Sequence, residues 1–255
     1  MHNVVLIANY NNSTWIGKAI ESAKKQTVEC KICVVDDCST DDSIEVIKGV
    51  LFNNSEILPS VIDDENGYFK YEENGNILIC LNKNSGPSMA RNVGIEQTIS
   101  NTKYYCILDA DDEMYPNKLE EYLKVADNHP NVGIIYADYD IYNTITGNTL
   151  REYKHNYSRS HLLKECIIHS GALIRASELK RVFEPSGWYD INLEVAEDWD
   201  LWLRMTEKCI AWHIPKSLSF VRVHDNNSTN SVKKEIWNQC WIRVQQKIRE
   251  RHVAR

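Results

Sequence analysis

The stretch Ile107-Leu108-Asp109-Ala110-Asp111-Asp112-Glu113 decides the fold, because an apolar run with the length of a buried strand ends there in a cluster of carboxylates. Ligands of open α/β folds bind at the carboxyl ends of the strands, which is where this cluster would lie. Like charges about 4 Å apart repel each other by roughly 4 kcal/mol at an effective dielectric constant near 20, so a positive partner is expected. Carboxylate oxygens suit Mg²⁺ or Mn²⁺. The stretch therefore predicts a metal site, and the alternative is a solvated acidic turn that caps the next helix.

The composition limits the class of protein. The chain has 255 residues, of which 43% are hydrophobic and 25% are charged, and it can bury a full globular core. No apolar run approaches the roughly 18 residues that a membrane span needs, and the N-terminus lacks the charged-then-apolar order of a signal peptide. We therefore expect a cytoplasmic protein. The net charge of −7 argues against nucleic acid as a partner.

The eight cysteines predict neither disulfides nor a zinc site. Only Cys30 and Cys33 have the close spacing of metal ligands, and the other six are scattered. Cys33, Cys80 and Cys106 lie inside apolar strand-like runs, where a free thiol behaves as a small hydrophobic group.

Apolar strand-like runs alternate with amphipathic helical patterns through the first half of the chain. The predicted strands cover 4–8, 31–35, 77–81, 104–108 and 132–136, and the predicted helices cover 14–25, 43–50, 87–97 and 116–127. This alternation is typical of an α/β fold with a mostly parallel, Rossmann-like sheet covered on both faces. Residues 53–76 break the rhythm and form either a functional loop or a hairpin. The second half is less regular, with strands over 136–151 and 170–174 and a helix over 196–207.

The last segment, residues 231–255, differs from the rest in charge. It holds seven basic and two acidic residues, a net charge of +5, which leaves −12 for the remainder of a chain whose total is −7. Its apolar residues recur at helical spacing: Val232, Ile236, Cys240, Val244 and Ile248. Two interpretations stay open. One is an amphipathic helix packed on the body with a basic outer face, and the other is an interfacial helix in peripheral contact with anionic lipid at the inner membrane face.

Four polar segments follow four of the predicted parallel strands and should converge on one edge of the sheet. They are 8–11, 36–37, 82–92 and 109–112. Tyr10 offers a flat face for a base, and Asp37 can accept a hydrogen bond from a base or ribose. Arg91 can meet a phosphate, and Asp111 can hold a metal that bridges a diphosphate. The sequence has no Gly-x-Gly-x-x-Gly or Walker lysine motif, so the pattern predicts a nucleotide site without a glycine fingerprint.

From about Val4 to Ser228 the chain resembles a family 2 glycosyltransferase of the GT-A fold. The motifs that carry the resemblance occur in the family's order: Asn9-Tyr10-Asn11, Val34-Val35-Asp36-Asp37, Gly86-Pro87-Ser88-Met89-Ala90-Arg91-Asn92, Leu108-Asp109-Ala110-Asp111-Asp112, Gly187-Trp188-Tyr189-Asp190 and Glu197-Asp198-Trp199-Asp200. The resemblance implies a three-layer domain over 1–230, with a nucleotide-binding half (1–112) and an acceptor and catalytic half (113–230), before the 231–255 helix. Ala8 stands where the family usually has proline, and Ser85 replaces a common glycine.

The resemblance also implies roles for individual residues. Those expected to bind the nucleotide sugar are Ala8, Tyr10, Asp37, Arg91, Asp109, Asp112 and Glu197. Asp111, with Asp109 and His224, would hold Mn²⁺ or Mg²⁺. Asp198 would be the general base, with Glu197 or Asp200 as the alternative. Asp36 is expected to be structural.

Other assignments stay open between a binding role and a packing role. Arg91 could pair with Asp109 instead of a ligand, and His224 could be an ordinary loop histidine. Trp199 and Trp202 are expected in the core, with a platform for an acceptor sugar as the alternative.

The resemblance implies a metal-dependent, inverting glycosyltransferase. The donor would be a nucleoside-diphosphate sugar, most often of UDP, and the acceptor a hydroxyl of a glycan on a lipid or protein carrier in surface polysaccharide synthesis. Two alternatives remain at this point: a nucleotidyltransferase that makes sugar nucleotides, and a non-catalytic module that binds them. The former normally needs a Gly- and Lys/Arg-rich loop after its first strand, which Tyr10-Asn11-Asn12-Ser13 is not.

Overall fold

One mixed sheet organises the part of the chain described by this computed structural model, which comprises residues 1–53, 56–63, 67–225, 227 and 232–253. Its strands are β1 (His2–Asn9), β2 (Lys31–Asp36), β3 (Val61–Asp63), β4 (Tyr68–Glu73), β5 (Asn76–Leu81), β6 (Thr102–Asp109), β7 (Glu113–Met114), β8 (Val132–Asn143), β9 (Thr149–Glu152), β10 (Leu173–Arg175) and β11 (Ile210–Val223). The helices are α1 (Ile16–Lys24), α2 (Ser43–Phe52), α3 (Pro87–Thr98), α4 (Lys118–Asn128), α5 (Arg159–Leu162), α6 (Ala176–Lys180), α7 (Glu197–Met205) and α8 (Lys234–Val253). The strand order is β3-β4-β5-β2-β1-β6-β10-β8-β11-β7, with β9 paired to β8.

The centre of the sheet is parallel, and its strands end at one edge. β5, β2, β1 and β6 are paired in parallel. Ala8 near the end of β1 pairs with Val35 on one side and with Asp109 on the other. Asp36 pairs with Asn9 and with Cys80, so β5 ends beside β2. The predicted convergence of the four polar segments is therefore confirmed.

Two hydrophobic cores lie on opposite faces of the sheet, because successive side chains of a strand point to opposite sides. Val5 and Ile7 of β1 pack with the apolar faces of α1, α2 and α4. Val4 and Leu6 pack with α3, α7 and α8. The three-layer α/β architecture predicted from the alternating pattern is confirmed. Antiparallel strands at both ends make the sheet mixed.

Helix α3 approaches β1 closely because residue 94 is glycine. A Cβ at Gly94 would lie 2.4 Å from Cδ1 of Leu6 and 3.0 Å from Cγ2 of Val35. A larger residue fits only if the side chains of Leu6 and Val35, or the helix itself, move. Arg91 lies one turn earlier on the same helix, so this contact also sets how near Arg91 comes to the edge of the sheet.

The two irregular regions resolve differently. Within 53–76, β3 and β4 form an antiparallel hairpin that continues onto β5 and extends the sheet, which agrees with the hairpin alternative; residues 54–55 and 64–66 lie outside the described chain. β11 was not predicted. It pairs in parallel with β8 over its whole length, but its register shifts between Ile214 and Ser217, where Pro215 lacks an N–H to donate. The break divides β11 into two segments, and neither segment has a sequence pattern long enough to predict a strand.

Helix α8 packs on the body, as the first of the two interpretations predicted, but its basic face is not wholly outward. Cys240, Val244 and Ile248 are buried in the core shared with α7. Lys247 Nζ lies 2.8 Å from Asp190 Oδ2 and 2.9 Å from Asp200 Oδ2, and Arg251 pairs with Glu207 and Asp200. The expected basic outer face is thus wrong for Lys247 and Arg251, which neutralise buried carboxylates. No described helix is long and apolar enough to cross a membrane. Residues 228–231 and 254–255 lie outside the described chain.

Candidate active site

The ends of β1 and β2 form a rigid polar corner. Asp36 is fully buried and accepts hydrogen bonds from the Asn9 side chain (2.7 Å), the Ser39 backbone N–H (2.9 Å) and the Ser39 hydroxyl (2.6 Å). Every carboxylate oxygen of Asp36 therefore has a protein donor. Its structural role, expected from the sequence, is confirmed by this packing.

Asp37, the next residue, holds the loop that starts α3. Its two oxygens accept hydrogen bonds from the backbone N–H groups of Ser85 (2.9 Å) and Gly86 (2.7 Å). Burial raises the pKa of Asp37, although these two bonds oppose the shift. Gly86 has a φ of +86°, which favours glycine at this turn. Tyr10 lies beside this corner with 49% of its surface exposed, and Ala8 is partly buried. Contact of Ala8, Tyr10 and Asp37 with a base stays a prediction.

Arg91 connects two acidic segments that are far apart in sequence. Its guanidinium lies 2.9 Å from Asp109 Oδ1 and 2.6 Å from Glu197 Oε1, and only 9% of its side chain is exposed. Although burial opposes the shift, the charges of Glu197 and Asp109 raise the pKa of Arg91. Of the two roles left open by the sequence, the pairing with Asp109 is the one present here. Arg91 is a bridge between the end of β6 and the start of α7.

The β6 turn (Asp109–Asp112) places its three carboxylates in different surroundings. Asp109 accepts bonds from Arg91 and from the Ser170 hydroxyl (2.8 Å), and Asp112 accepts one from the Arg222 backbone N–H (3.0 Å). Asp111 Oδ2 lies 3.0 Å from His224 Nε2 and 2.8 Å from Asn227 Nδ2. Burial, with the charge of Asp109, raises the pKa of Asp111. Burial, with the charge of Asp111, raises that of Asp112 well above its usual range.

Protein cations supply part of the positive charge that the β6 turn needs. Arg222 donates to the Asp111 carbonyl (2.6 Å) and pairs with Glu113, and its guanidinium lies 4.7 Å from the Trp15 ring centre. Lys118 is buried beside the turn, where it donates to the Ser219 hydroxyl (2.7 Å) and interacts electrostatically with Asp112 and Asp109. Burial lowers the pKa of Lys118. The sequence argument that a metal must balance the cluster was therefore too strong, since Arg91, Lys118 and Arg222 contribute.

The donor set around Asp111 nevertheless fits a divalent ion. Asp111 and His224 offer a carboxylate oxygen and an imidazole nitrogen on the same side of the turn. This mixture suits Mn²⁺ better than Mg²⁺, which prefers oxygen ligands. Asp109, predicted as a further ligand, already has one oxygen on Arg91 and the other on Ser170. Asp112 is turned toward Arg222, so its expected contact with the nucleotide sugar stays a prediction.

The α7 turn (Glu197–Asp200) also divides its carboxylates. Glu197 pairs with Arg91, while Asp200 is fully buried and pairs with Arg204 (2.8 Å) and Lys247. Asp198 accepts a bond from the Trp199 backbone N–H (2.6 Å) and forms no ion pair within the described chain. Burial, with the charge of Glu197, raises the pKa of Asp198 to about 7. Among the three carboxylates, Asp198 is thus the one suited to take up a proton near neutral pH.

Trp199 and Trp202 are buried at 3% and 0% exposure, which confirms their expected place in the core. The platform alternative for them is not supported.

Sequence reasoning missed several neighbours of the site. His169 lies near Asp109, and its ring is tilted by 38° against that of Tyr139 with ring centres 4.3 Å apart. Burial lowers the pKa of His169 to about 3, so the imidazole is neutral. Tyr189 lies under Arg91, with the guanidinium 5.3 Å from its ring centre. Asn227 contacts Asp111 three residues after His224. Tyr189 lies in a motif that the resemblance had singled out, whereas His169 and Asn227 carry no local sequence signal.

Known proteins resemble this chain over most of its length. The family model described as glycosyl transferase family 2 matches residues 4–183, more than half of the chain, and ends before the α7 turn. A protein of Rickettsia typhi named as an uncharacterized glycosyltransferase is 28% identical over 242 residues, which are 91% of this chain and 67% of that protein. Chondroitin synthase of Escherichia coli is 23% identical over 244 residues, 94% of this chain and 31% of its own length.

A solved structure shares the fold. The crystal structure of S. aureus TarS 1–349 in complex with UDP-GlcNAc matches with a TM-score of 0.67 and 17% identity, and it covers 93% of this chain and 64% of that one. At this identity the likeness establishes the architecture alone. The chain spans only part of each of these proteins.

Proposed function

The chain belongs to glycosyl transferase family 2, and on that premise we propose that it moves a sugar from a nucleoside-diphosphate donor to an acceptor hydroxyl with inversion at the anomeric carbon. The family makes the protein a glycosyltransferase, so neither alternative, the nucleotidyltransferase or the non-catalytic module, is retained. The inverting course, the metal and the substrates are our proposal.

One observation carries this proposal: Arg91 pairs with both Asp109 and Glu197 and so joins the β6 turn to the α7 turn. Inversion needs an acceptor hydroxyl on one face of the sugar and the departing diphosphate on the other. A base is therefore needed at a distance from the groups that hold the diphosphate. We assign the diphosphate to the β6 turn and the base to the α7 turn.

Asp198 is assigned as the base that removes the proton of the acceptor hydroxyl. Its pKa of about 7 leaves it able to accept a proton at neutral pH. A positioned base of this kind contributes roughly 10²- to 10⁴-fold to the rate. Glu197 is held by Arg91 and Asp200 by Arg204 and Lys247, so both are poorer candidates.

Asp111 and His224 would hold Mn²⁺ or Mg²⁺ beside the diphosphate. When bound, the ion acts as a Lewis acid that stabilises the negative charge of the leaving group. Around it, Arg222 and Asn227 keep the two ligands oriented through their bonds to the β6 turn. Tyr10 and Asp37, just after the ends of β1 and β2, are assigned to binding the nucleobase of the donor.

A UDP sugar is the proposed donor, supported by the UDP-GlcNAc bound to the structural neighbour. A glycan acceptor in polysaccharide synthesis is supported by the name of the chondroitin synthase relative. A cytoplasmic location is part of the same proposal.

Thermal-shift measurements test this proposal, with a panel of UDP, dTDP and GDP sugars in the presence and absence of Mn²⁺. A ligand at 100 times its Kd stabilises the native state by about 2.7 kcal/mol, so a true donor should raise the melting temperature clearly. We expect a UDP sugar to do so only with the metal, and the transferred product to have the opposite anomeric configuration by NMR. A product of retained configuration would contradict the proposal. So would a donor that raises the melting temperature equally with and without Mn²⁺.

A further inference from the structure

A second group of side chains that could bind a metal lies outside the β6 turn and the α7 turn. His155, His161 and Glu165 place one ligand atom each within 4.8 Å of one another. The imidazole rings of His155 and His161 have centres 4.8 Å apart and are tilted by 50°. His161 is half-buried, and the other two are exposed. None of the three has a role in the proposed transfer.

The backbone around this group is fixed on both sides. Ser158 caps α5 by accepting a bond from the His161 backbone N–H, and the following helical turn brings His161 and Glu165 onto one face. His161 Nε2 lies 2.8 Å from Glu165 Oε1. The Tyr136 hydroxyl donates to the carbonyl of His155 at 2.7 Å. These contacts hold the three Cα positions while the side-chain torsions stay free to adjust.

We propose that His155, His161 and Glu165 form a binding site for a divalent transition metal, with Zn²⁺ as the best match. Two imidazole nitrogens and one carboxylate are a set that zinc accepts in proteins, with the fourth position left to water or another ligand. Zinc–nitrogen bonds of about 2.0–2.1 Å in tetrahedral geometry put the ligand atoms about 3.3 Å apart. The exposed side chains of His155 and Glu165 need only small rotations to reach that spacing.

Such an ion would stabilise the segment that leads from the surface to the β6 turn. Cys166 follows Glu165 and is partly buried, with its thiol donating to the Ile168 carbonyl. Four residues later, the Ser170 hydroxyl donates to Asp109. A metal at residues 155–165 would thus tie down the chain between the exposed surface and the two acidic turns. The proposed site does not depend on the proposed transferase activity.

Zn²⁺ alone, without nucleotide, is the probe that tests this site. Isothermal titration calorimetry should show a Zn²⁺ site in the wild type that persists in the Asp111→Asn variant, which lacks the proposed ligand of the donor metal, and Zn²⁺ should raise the melting temperature of both. Substitution of Co²⁺ should give the visible absorption of a four-coordinate site. The His161→Ala variant should bind Zn²⁺ at least about 100-fold more weakly, because a ligand atom is lost outright. His155→Ala, in an exposed position, provides the same measurement if His161→Ala folds poorly.

Two controls separate this site from others on the protein. His2→Ala removes an exposed histidine far along the chain and should leave Zn²⁺ binding unchanged. In the Asp111→Asn background, which lacks the proposed ligand of the donor metal, the Zn²⁺ site that remains should be the one that His161→Ala weakens. A wild type that binds no Zn²⁺ would overturn the proposal. Undiminished binding in both histidine variants would also overturn it and would place the ion elsewhere, for example on the free thiols.

Discussion

The β6 turn and the α7 turn each contain three carboxylates, and two of the three have corresponding contacts in both turns. In each, one carboxylate pairs with Arg91 (Asp109 and Glu197). In each, another is buried and holds a neighbouring element: Asp112 binds the backbone of β11, and Asp200 binds Lys247 of α8. The third carboxylate, Asp111 or Asp198, pairs with no Lys or Arg within the described chain, and its pKa is raised.

The difference lies in what surrounds that third carboxylate. Asp111 faces His224 and Asn227, two side chains that can share a cation or a ligand with it. Asp198 has a backbone N–H as its hydrogen-bond donor. The two clusters, similar in sequence, therefore suit the different chemistry that we propose for them, because a metal needs several donors around it whereas a base needs a site for one proton.

The largest expected effect is that of Asp198→Asn. The variant should lose about 10²- to 10⁴-fold in kcat, since a general base contributes that much, while its donor affinity stays near the wild-type value. Asp42→Asn, at an exposed position that makes no cap bond on α2, is the matched control. A variant with near-normal kcat would make Asp198 only a structural residue.

The same substitution gives a separate readout in stability. Because the folded pKa of Asp198 is raised from 3.8 to about 7, its contribution to folding is fully present below about pH 4 and lost as the pH rises through about 7. Asn carries no such charge, so Asp198→Asn should melt higher than the wild type above pH 7 and not below pH 4. Melting curves across this range check the direction.

Asp111→Asn tests the other turn. We expect the metal-dependent rise in melting temperature with donor to disappear and kcat to fall by about 10²- to 10³-fold, the range seen when one group that stabilises transition-state charge is removed. The proton-accepting side should be unaffected, so the pH at which the residual rate falls by half should stay where it is in the wild type. If donor protection by Mn²⁺ persisted unchanged, Asp111 would not be a ligand.

Arg91→Met should disturb both turns at once. Arg91 lowers the pKa of Asp198, so its loss should move the acid limb of kcat/KM to higher pH, because the base must be deprotonated to act. Breaking a buried ion pair also costs about 3–5 kcal/mol of stability. Rate–pH profiles over pH 5–9 measure the first effect. A profile that keeps its midpoint in a folded variant would show that Arg91 does not couple the turns.

The smallest effect on activity is expected for Lys247→Met. Its loss leaves Asp190 and Asp200 with less compensating charge and should lower stability by about 1–3 kcal/mol. Lys247 helps to hold the pKa of Asp190 well below its usual value, so the deficit should be present above about pH 4 and shrink as the pH falls further. Arg249→Met, exposed on the same helix, should leave the melting temperature unchanged. Equal effects of the two variants would contradict the inward role of Lys247.

The sequence pattern predicted the parts of this molecule that depend on local periodicity. The parallel strands ending at Asn9, Asp36 and Asp109 followed from short apolar runs, and so did their common edge. β11 escaped prediction because Pro215 interrupts it. The double pairing of Arg91 escaped because Glu197 is 106 positions away, a contact that only the folded chain creates. The inward lysine of α8 escaped because helical spacing places a charge on a face but does not identify its partner.

Gly94 has a consequence that reaches beyond packing. Because residue 94 has no side chain, α3 packs closely against Leu6 and Val35, and this packing sets the distance of Arg91 from the sheet. A methyl group there would press on Leu6 and Val35, shift the helix outward, lengthen both guanidinium contacts and weaken the effect by which Arg91 lowers the pKa of Asp198. We expect a position that carries no polar atom thereby to influence how readily Asp198 accepts a proton.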